Sequence, residues 1–334
     1  MYEVITIGTV TRDVFVSGAG FRVLKDPVHL KKIGFKTGEA ECLALGAKIE
    51  IEKPVLTMGG GAANAAVTFA RQGFRTAAVI KIGNDEIGEE IVASLKREKV
   101  KPLAAVDEKT GTAYSTILLA LGGERTVLVY RGASSDFKEK EIPARKMKCR
   151  WAYVSPGAIS IPLMQAVVLN LKKSGAKVAM NPSKHYLKAG AAKLRQILRN
   201  LDVVVVNREE ASYLTGIDYG KEKAIFGKFD ELVPGIAVMT NGRDGAAVSD
   251  GKYIYRAGIF PEKRLLDRTG AGDAFGSGFV AGLMRKNDIC YALRLAAANS
   301  ASVVEQIGAE EGILKKEDFK KKRWQYLDLD VEPL

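Results

Sequence analysis

The sequence predicts an α/β fold: a central, mostly parallel sheet flanked by helices, with a small β-sheet standing apart from it. Three observations carry that prediction. From Trp151 onward, short apolar runs alternate with helix-length segments. Two β-prone stretches in the first half do not follow that rhythm. Two glycine-rich turns, Gly59-Gly60-Gly61 and Gly270-Ala271-Gly272, each lead straight into a helix-like run.

Taken in order, Val4 to Gly8 is a short apolar run closed by glycine, a first strand. Between Asp13 and Met58 the pattern changes. Val14-Phe15-Val16, Phe21 to Leu24 and Ala47 to Ile51 are β-prone pieces separated by polar and glycine-rich stretches. Ala47 to Ile51 alternates apolar and charged residues, so a half-exposed strand is expected there. A helix is expected over Glu86 to Glu98, and then a second β-prone stretch, Ala113 to Tyr130. Residues 14–58 and 112–130 are expected to supply the small sheet as a lid on one domain spanning 1–334.

The second half reads as βα units. Strands are expected at Trp151 to Ser155, Val178 to Asn181 and Val203 to Val206. Helices are expected at Leu163 to Lys173, Ala191 to Asn200 and Glu209 to Leu214. Such nearly continuous apolar strands indicate a parallel sheet covered on both faces. Ile236 to Thr240 and Gly245 to Ser249 follow as strands joined by Asn241-Gly242-Arg243-Asp244. Two long helices, Gly272 to Lys286 and Ile289 to Gln306, come last. Ligands of such sheets bind beyond the carboxyl ends of the strands, where Asp13, Asn207 and Thr240 fall.

Composition narrows the function classes. A chain of 334 residues, 47% hydrophobic, buries a large core and still forms a deep cleft. No run approaches the roughly 18 apolar residues of a membrane helix, and the start, Met1 to Ile5, does not read as a signal peptide. Cys42, Cys149 and Cys290 are odd in number and far apart, which reads as reduced thiols and a cytoplasmic location. The net charge of +12 raises nucleic-acid binding. No nucleic-acid motif accompanies it, and the basic residues are dispersed apart from Lys315-Lys316 and Lys320 to Arg323. Those sit among Glu317, Asp318 and aromatics and read as the solvated face of a terminal helix. The expected partner is therefore a small molecule, with no nucleic acid and no membrane.

The strongest chemical segment is Asp267-Arg268-Thr269-Gly270-Ala271-Gly272-Asp273. The first amides of a helix have no internal partners and the dipole is positive there, so glycines admit an anion closely. Asp273, in the first turn, is expected to have a lowered pKa and to orient a hydroxyl and take its proton late. An ordinary capped helix is the alternative. A dinucleotide loop is excluded because no apolar strand precedes the glycines, and a Walker loop because no Gly-Lys-Ser/Thr occurs. In Gly59 to Asn64, three glycines expose backbone amides, and Asn64 offers a donor and an acceptor to hydroxyls. Tight helix–sheet packing accounts for these small residues equally well.

These two segments resemble the N-terminal and C-terminal signatures of the PfkB/ribokinase family of carbohydrate kinases, in the right order and across essentially the whole chain. The resemblance implies a Rossmann-like domain with a β lid, and an ATP-dependent kinase. It implies that Asp273 is the base and that the amides of Gly270, Ala271 and Gly272 form the anion hole. Asp13, Gly60, Gly61 and Asn64 would hold the acceptor, assisted by Thr11. Asn207-Arg208-Glu209-Glu210 is similar to the family's Asn-x-x-Glu motif, with Asn207 near phosphate and Glu210 near Mg²⁺ through water. Spacing alone reads that pair as a helix cap and a surface acid. Thr240 and Gly242 resemble the nucleotide loop, Asn299 the adenine pocket, and Asp267 with Thr269 a K⁺ site of some members.

Some positions depart from the common pattern. Arg268 stands where a small residue is frequent. Lys81, Arg131 and Arg12 would select an acidic acceptor if they face it, or else pair with acids. Ser155-Pro156-Gly157 lacks the acid that ribokinase proper uses for its sugar. The long 18–58 stretch suggests a larger cover or a homodimer contact. The expected reaction is phosphorylation of a sugar, with a nucleoside kinase as the alternative and a silent ligand-binding protein as a further one.

Overall fold

The computed structural model describes residues 1–18, 20–35, 37–120 and 125–334. The chain opens with β1 (Tyr2–Gly8) and β2 (Thr11–Ser17). Strands β3 (Arg22–Lys25) and β4 (Glu39–Cys42) pair antiparallel around the short α1 (Pro27–Lys32). Next come β5 (Val55–Gly59), α2 (Gly61–Arg71), β6 (Thr76–Gly83), α3 (Glu86–Arg97) and β7 (Lys101–Asp107). Strands β8 (Tyr114–Leu119) and β9 (Arg125–Tyr130) lie antiparallel. The part of the expected Ala113–Tyr130 stretch at 121–124 lies outside the described residues.

The βα units then follow: β10 (Cys149–Ser155), α4 (Ile161–Lys173), β11 (Lys177–Met180), α5 (Lys184–Ala189), α6 (Ala191–Leu198) and β12 (Val203–Asn207). They lead to α7 (Arg208–Thr215), α8 (Glu222–Leu232), β13 (Ile236–Thr240), β14 (Ala246–Ser249) and β15 (Tyr253–Ala257). Two long helices, α9 (Ala271–Lys286) and α10 (Ile289–Val303), precede β16 (Leu329–Pro333).

The main sheet has the order β16-β15-β14-β13-β12-β11-β10-β1-β6-β7. From β7 to β13 every pairing is parallel, and β14, β15 and β16 close one edge antiparallel. Alternate side chains of β1 feed opposite cores, as the two-residue repeat of a strand requires. Ile5 and Ile7 pack with Met164 of α4 and Phe229 of α8. Val4 packs on the other face with Phe69 of α2 and Phe279 of α9. The carboxyl ends of the strands line up, with Gly8 opposite Ser155 and Asn207 opposite Thr240.

The small sheet has the order β5-β2-β8-β9. Its β2–β8 pairing is parallel and the other two are antiparallel. Asp13 and Phe15 are buried on one face of β2, while every residue of β9 is exposed.

Two expectations are corrected. Residues 47–51 form no strand: β2 pairs on its two sides with β5 and β8, so the strand expected beside it is supplied by Val55–Gly59 instead. The basic C-terminal segment forms no regular helix, but two 3₁₀ turns, Asp318–Lys320 and Lys322–Trp324. Phe319 and Trp324 are both buried, and side chains five apart would point to different sides of an α-helix. Among the described residues no helix is long and apolar enough to cross a membrane.

Candidate active site

Asp267 shapes the turn into α9. It is buried, and its Oδ1 accepts from Thr269 N at 2.9 Å and Thr269 Oγ1 at 2.7 Å. Its Oδ2 accepts from Gly308 N at 3.2 Å. Gly270 caps the helix at φ +80, a left-handed conformation that glycine adopts freely, and a Cβ there would run into Ala309. The Gly270 and Gly272 amides donate to no backbone carbonyl among the described residues, and Ala271 N makes only a long 3.3 Å bond to Arg268 O. Free amides at a helix head are suited to receive an anion.

Asp273 stands in the first turn of α9. Asn64, from the first turns of α2, donates from Nδ2 to Asp273 Oδ2 at 2.9 Å. A Cβ on Gly61 would overlap Ser155 Oγ and stand 3.2 Å from Asp273 Oδ1, so only glycine leaves this approach open. Burial pushes the Asp273 carboxyl above its ordinary value, although the Asn64 bond pulls it back. This corrects the expected lowering: desolvation outweighs the helix terminus. The residue is a better base than helix position alone suggests.

Asp13 is buried beside the same space. Its pKa is raised from 3.8 to about 6, mainly by burial. The Ser115 and Thr11 hydroxyls oppose that shift, and the charges of Asp267 and Asp273 add to it. Thr11 Oγ1 lies 3.4 Å from Ser115 Oγ. Gly60, at φ +92, turns the chain from β5 into α2. Asp13 Oδ1, Asn64 Oδ1 and Thr57 Oγ1 are buried without a hydrogen-bond partner, and Thr57 pairs directly with Asp13 across β5 and β2. Buried polar atoms left open in this way call for a hydrogen-bonding ligand. The sequence reading missed Thr57, whose only signal was its place two residues before the triple glycine.

A cleft of about 220 Å³ opens on the other side of the α9 head. Thr240, Gly242, Ala271 and Gly272 line it, together with Phe260 and Phe275, which the sequence reading left unassigned. Asn299 does not reach it. Its Nδ2 donates to Ala274 O at 2.9 Å and its Oδ1 accepts from Leu314 N at 2.9 Å, so it staples α10 to α9 and the following loop. Its neighbours Ala297 and Ser300 line the cleft instead.

Asn207 and Glu210 form a reciprocal capping box. Asn207 Oδ1 accepts from Glu210 N at 2.8 Å, and Glu210 Oε2 accepts from Asn207 N at 2.9 Å. Burial raises the Glu210 carboxyl. Among the described residues no three or more His, Cys, Asp or Glu side chains gather as metal ligands. Of the cations considered for the acceptor, Lys81 is buried with Asp107 at 2.9 Å and Glu141 at 3.1 Å, and Arg12 pairs with Glu90. Arg131 is exposed.

Free amides at the head of α9, a carboxylate beside them and a cleft at the carboxyl edge of a parallel sheet are the arrangement of a small-molecule kinase. The model of the pfkB family carbohydrate kinases matches residues 32–316, and the chain belongs to that family. It is similar to a ribokinase of Haemophilus influenzae, 26% identical over 272 residues, 79% of this chain and 86% of that one. It is also similar to a cytidine kinase of Thermococcus kodakarensis, 30% identical over 264 residues, 75% of this chain and 88% of the relative. The fold is shared with a ribokinase of Arabidopsis thaliana complexed with ribose and ATP. The TM-score is 0.75 at 20% identity, over 97% of this chain and 99% of that one.

Proposed function

We propose that this protein is a cytoplasmic enzyme that transfers the γ-phosphoryl group of ATP to a hydroxyl of a sugar or sugar-like small molecule. The Asn64–Asp273 hydrogen bond carries this reading, because it joins the two glycine-rich turns into one site. Asn64, Asp13, Gly60 and Gly61, with Thr11 nearby, hold the acceptor, and the open oxygens of Asp13 and Asn64 accept hydrogen bonds from its hydroxyls. Asp273 orients the attacking hydroxyl. As the new P–O bond forms and the bond to ADP breaks, the hydroxyl proton passes to Asp273. The Gly270–Gly272 amides stabilise the charge on the transferring group. Thr240 and Gly242 flank the nucleotide. The small sheet, residues 14–58 and 112–130, closes as a lid and excludes water.

Magnesium neutralises phosphate oxygens in such transfers, and it is held by one or two carboxylates with retained waters. Glu210, with Asn207, fits that mode of binding: its carboxyl is partly buried and has no cationic partner among the described residues. Asp267 is a buried carboxylate likewise unpaired with any cation among them, and K⁺ beside Asp267 and Thr269 would supply that charge. The exposed β9 strand is proposed as a contact between two copies, which sedimentation measurements would test.

A nucleoside acceptor is the second reading, favoured by the similarity to a cytidine kinase. A panel of sugars and nucleosides, assayed for ADP release with ATP and magnesium fixed, separates the two. Turnover of no member of the panel would sink both.

A further inference from the structure

Arg268 lies between Asp267, which holds the turn, and Gly270, which caps α9. It lines the cleft beside Ala271 and Gly272, and it is exposed. Its backbone is fixed, because Arg268 O accepts from Ala271 N. The ion pairs at that end of the sheet are made by other cations: Arg208 and Arg256 with Glu222, and Arg323 with Glu305. Among the described residues the Arg268 guanidinium has neither an ion pair nor a hydrogen bond. Its neighbour Asp267 spends its oxygens on Thr269 and Gly308. Arg243 also lines the cleft, against the single acid Glu262, so its rim carries net positive charge.

We propose that Arg268 grips the polyphosphate chain of the nucleotide donor and is a donor-binding residue of this kinase. The inference rests on the kinase reading above. A guanidinium offers a planar fork that matches phosphate oxygens two at a time. It is held here by a rigid turn, on the rim where the cleft meets the anion cradle. The backbone amides then hold the transferring group, while Arg268 neutralises charge that the amides alone leave in place.

The test is calorimetric titration of the wild type, Arg268→Ala and Arg268→Lys with two probes, magnesium-loaded AMP-PNP and adenosine. Arg268→Ala is expected to weaken AMP-PNP binding about tenfold or more, as for loss of a charged hydrogen bond. Adenosine affinity is expected to stay unchanged, and Arg268→Lys to recover part of the loss as a point charge. Unchanged AMP-PNP affinity in Arg268→Ala, or an equal loss for adenosine, overturns the inference. A wild type that binds neither probe counts against the kinase reading instead.

Discussion

Asn64 Nδ2 donates to Asp273 Oδ2 at 2.9 Å, across 209 positions of the chain. The bond leaves Asp273 Oδ1 facing Gly61, and leaves Asn64 Oδ1 buried without a partner. One carboxylate oxygen is therefore held and the other is free to receive a proton. Asn64→Leu removes the hold and is expected to lower kcat about 10- to 100-fold, the equivalent of one charged hydrogen bond. Asn64→Asp places a like charge beside Asp273 and is expected to move the acid limb of the pH–rate profile to higher pH. Steady-state profiles of both variants check this.

The wild-type pH profile follows from burial. As the proposed base, Asp273 would work only when ionised, and its pKa is raised by burial. The acid limb of the rate is expected at a higher pH than for an unburied aspartate. Asp13 titrates near 6, so KM for the acceptor is expected to rise as pH drops through that value. A rate without an acid limb, or a KM unchanged as pH falls through about 6, would contradict the respective assignment.

Asp13 also links function to stability. Its folded pKa is raised from 3.8 to about 6. Its contribution to stability is therefore fully present below about 4 and lost as pH rises through about 6. Asp13→Asn escapes that loss and is expected to be up to about 3 kcal/mol more stable than the wild type at pH 7. The gain should vanish near pH 4, and acceptor affinity should be lost throughout. Thermal melts across this range test the sign.

The glycines make steric predictions. Gly61→Ala would push into Ser155 Oγ and towards Asp273, and is expected to abolish acceptor binding. Gly270→Ala forces a left-handed alanine against Ala309 and is expected to cost about 1–3 kcal/mol in stability as well as turnover. Denaturant melts paired with kinetics distinguish the two variants.

Much of this architecture was legible in the residues. The valine run of β12 and the strand–helix rhythm after Trp151 mark the parallel sheet, because buried strands must be apolar on both faces. The tight turn into α9 was legible because few residues but glycine tolerate φ +80 at Gly270. What was not legible depended on long-range placement. Residues 47–51 have strand alternation, but the place beside β2 is taken by β5, a pairing that alternation alone does not reveal. Asn299 falls in the right region but spends its amide on Ala274 and Leu314. The charge state of Asp273 follows from how deeply α2 and the strand ends bury it, which local spacing does not encode. Lys81 reads as a surface cation until β7 and the 3₁₀ turn at Glu139–Glu141 bring Asp107 and Glu141 to it.

The most direct measurement is single-turnover phosphoryl transfer from ATP by Asp273→Asn, with the best acceptor of the panel and nucleotide affinity measured in parallel. Transfer is expected to be slowed about 10²- to 10⁴-fold, the usual contribution of a positioned base, with ATP affinity nearly unchanged. Transfer at the wild-type rate would contradict it.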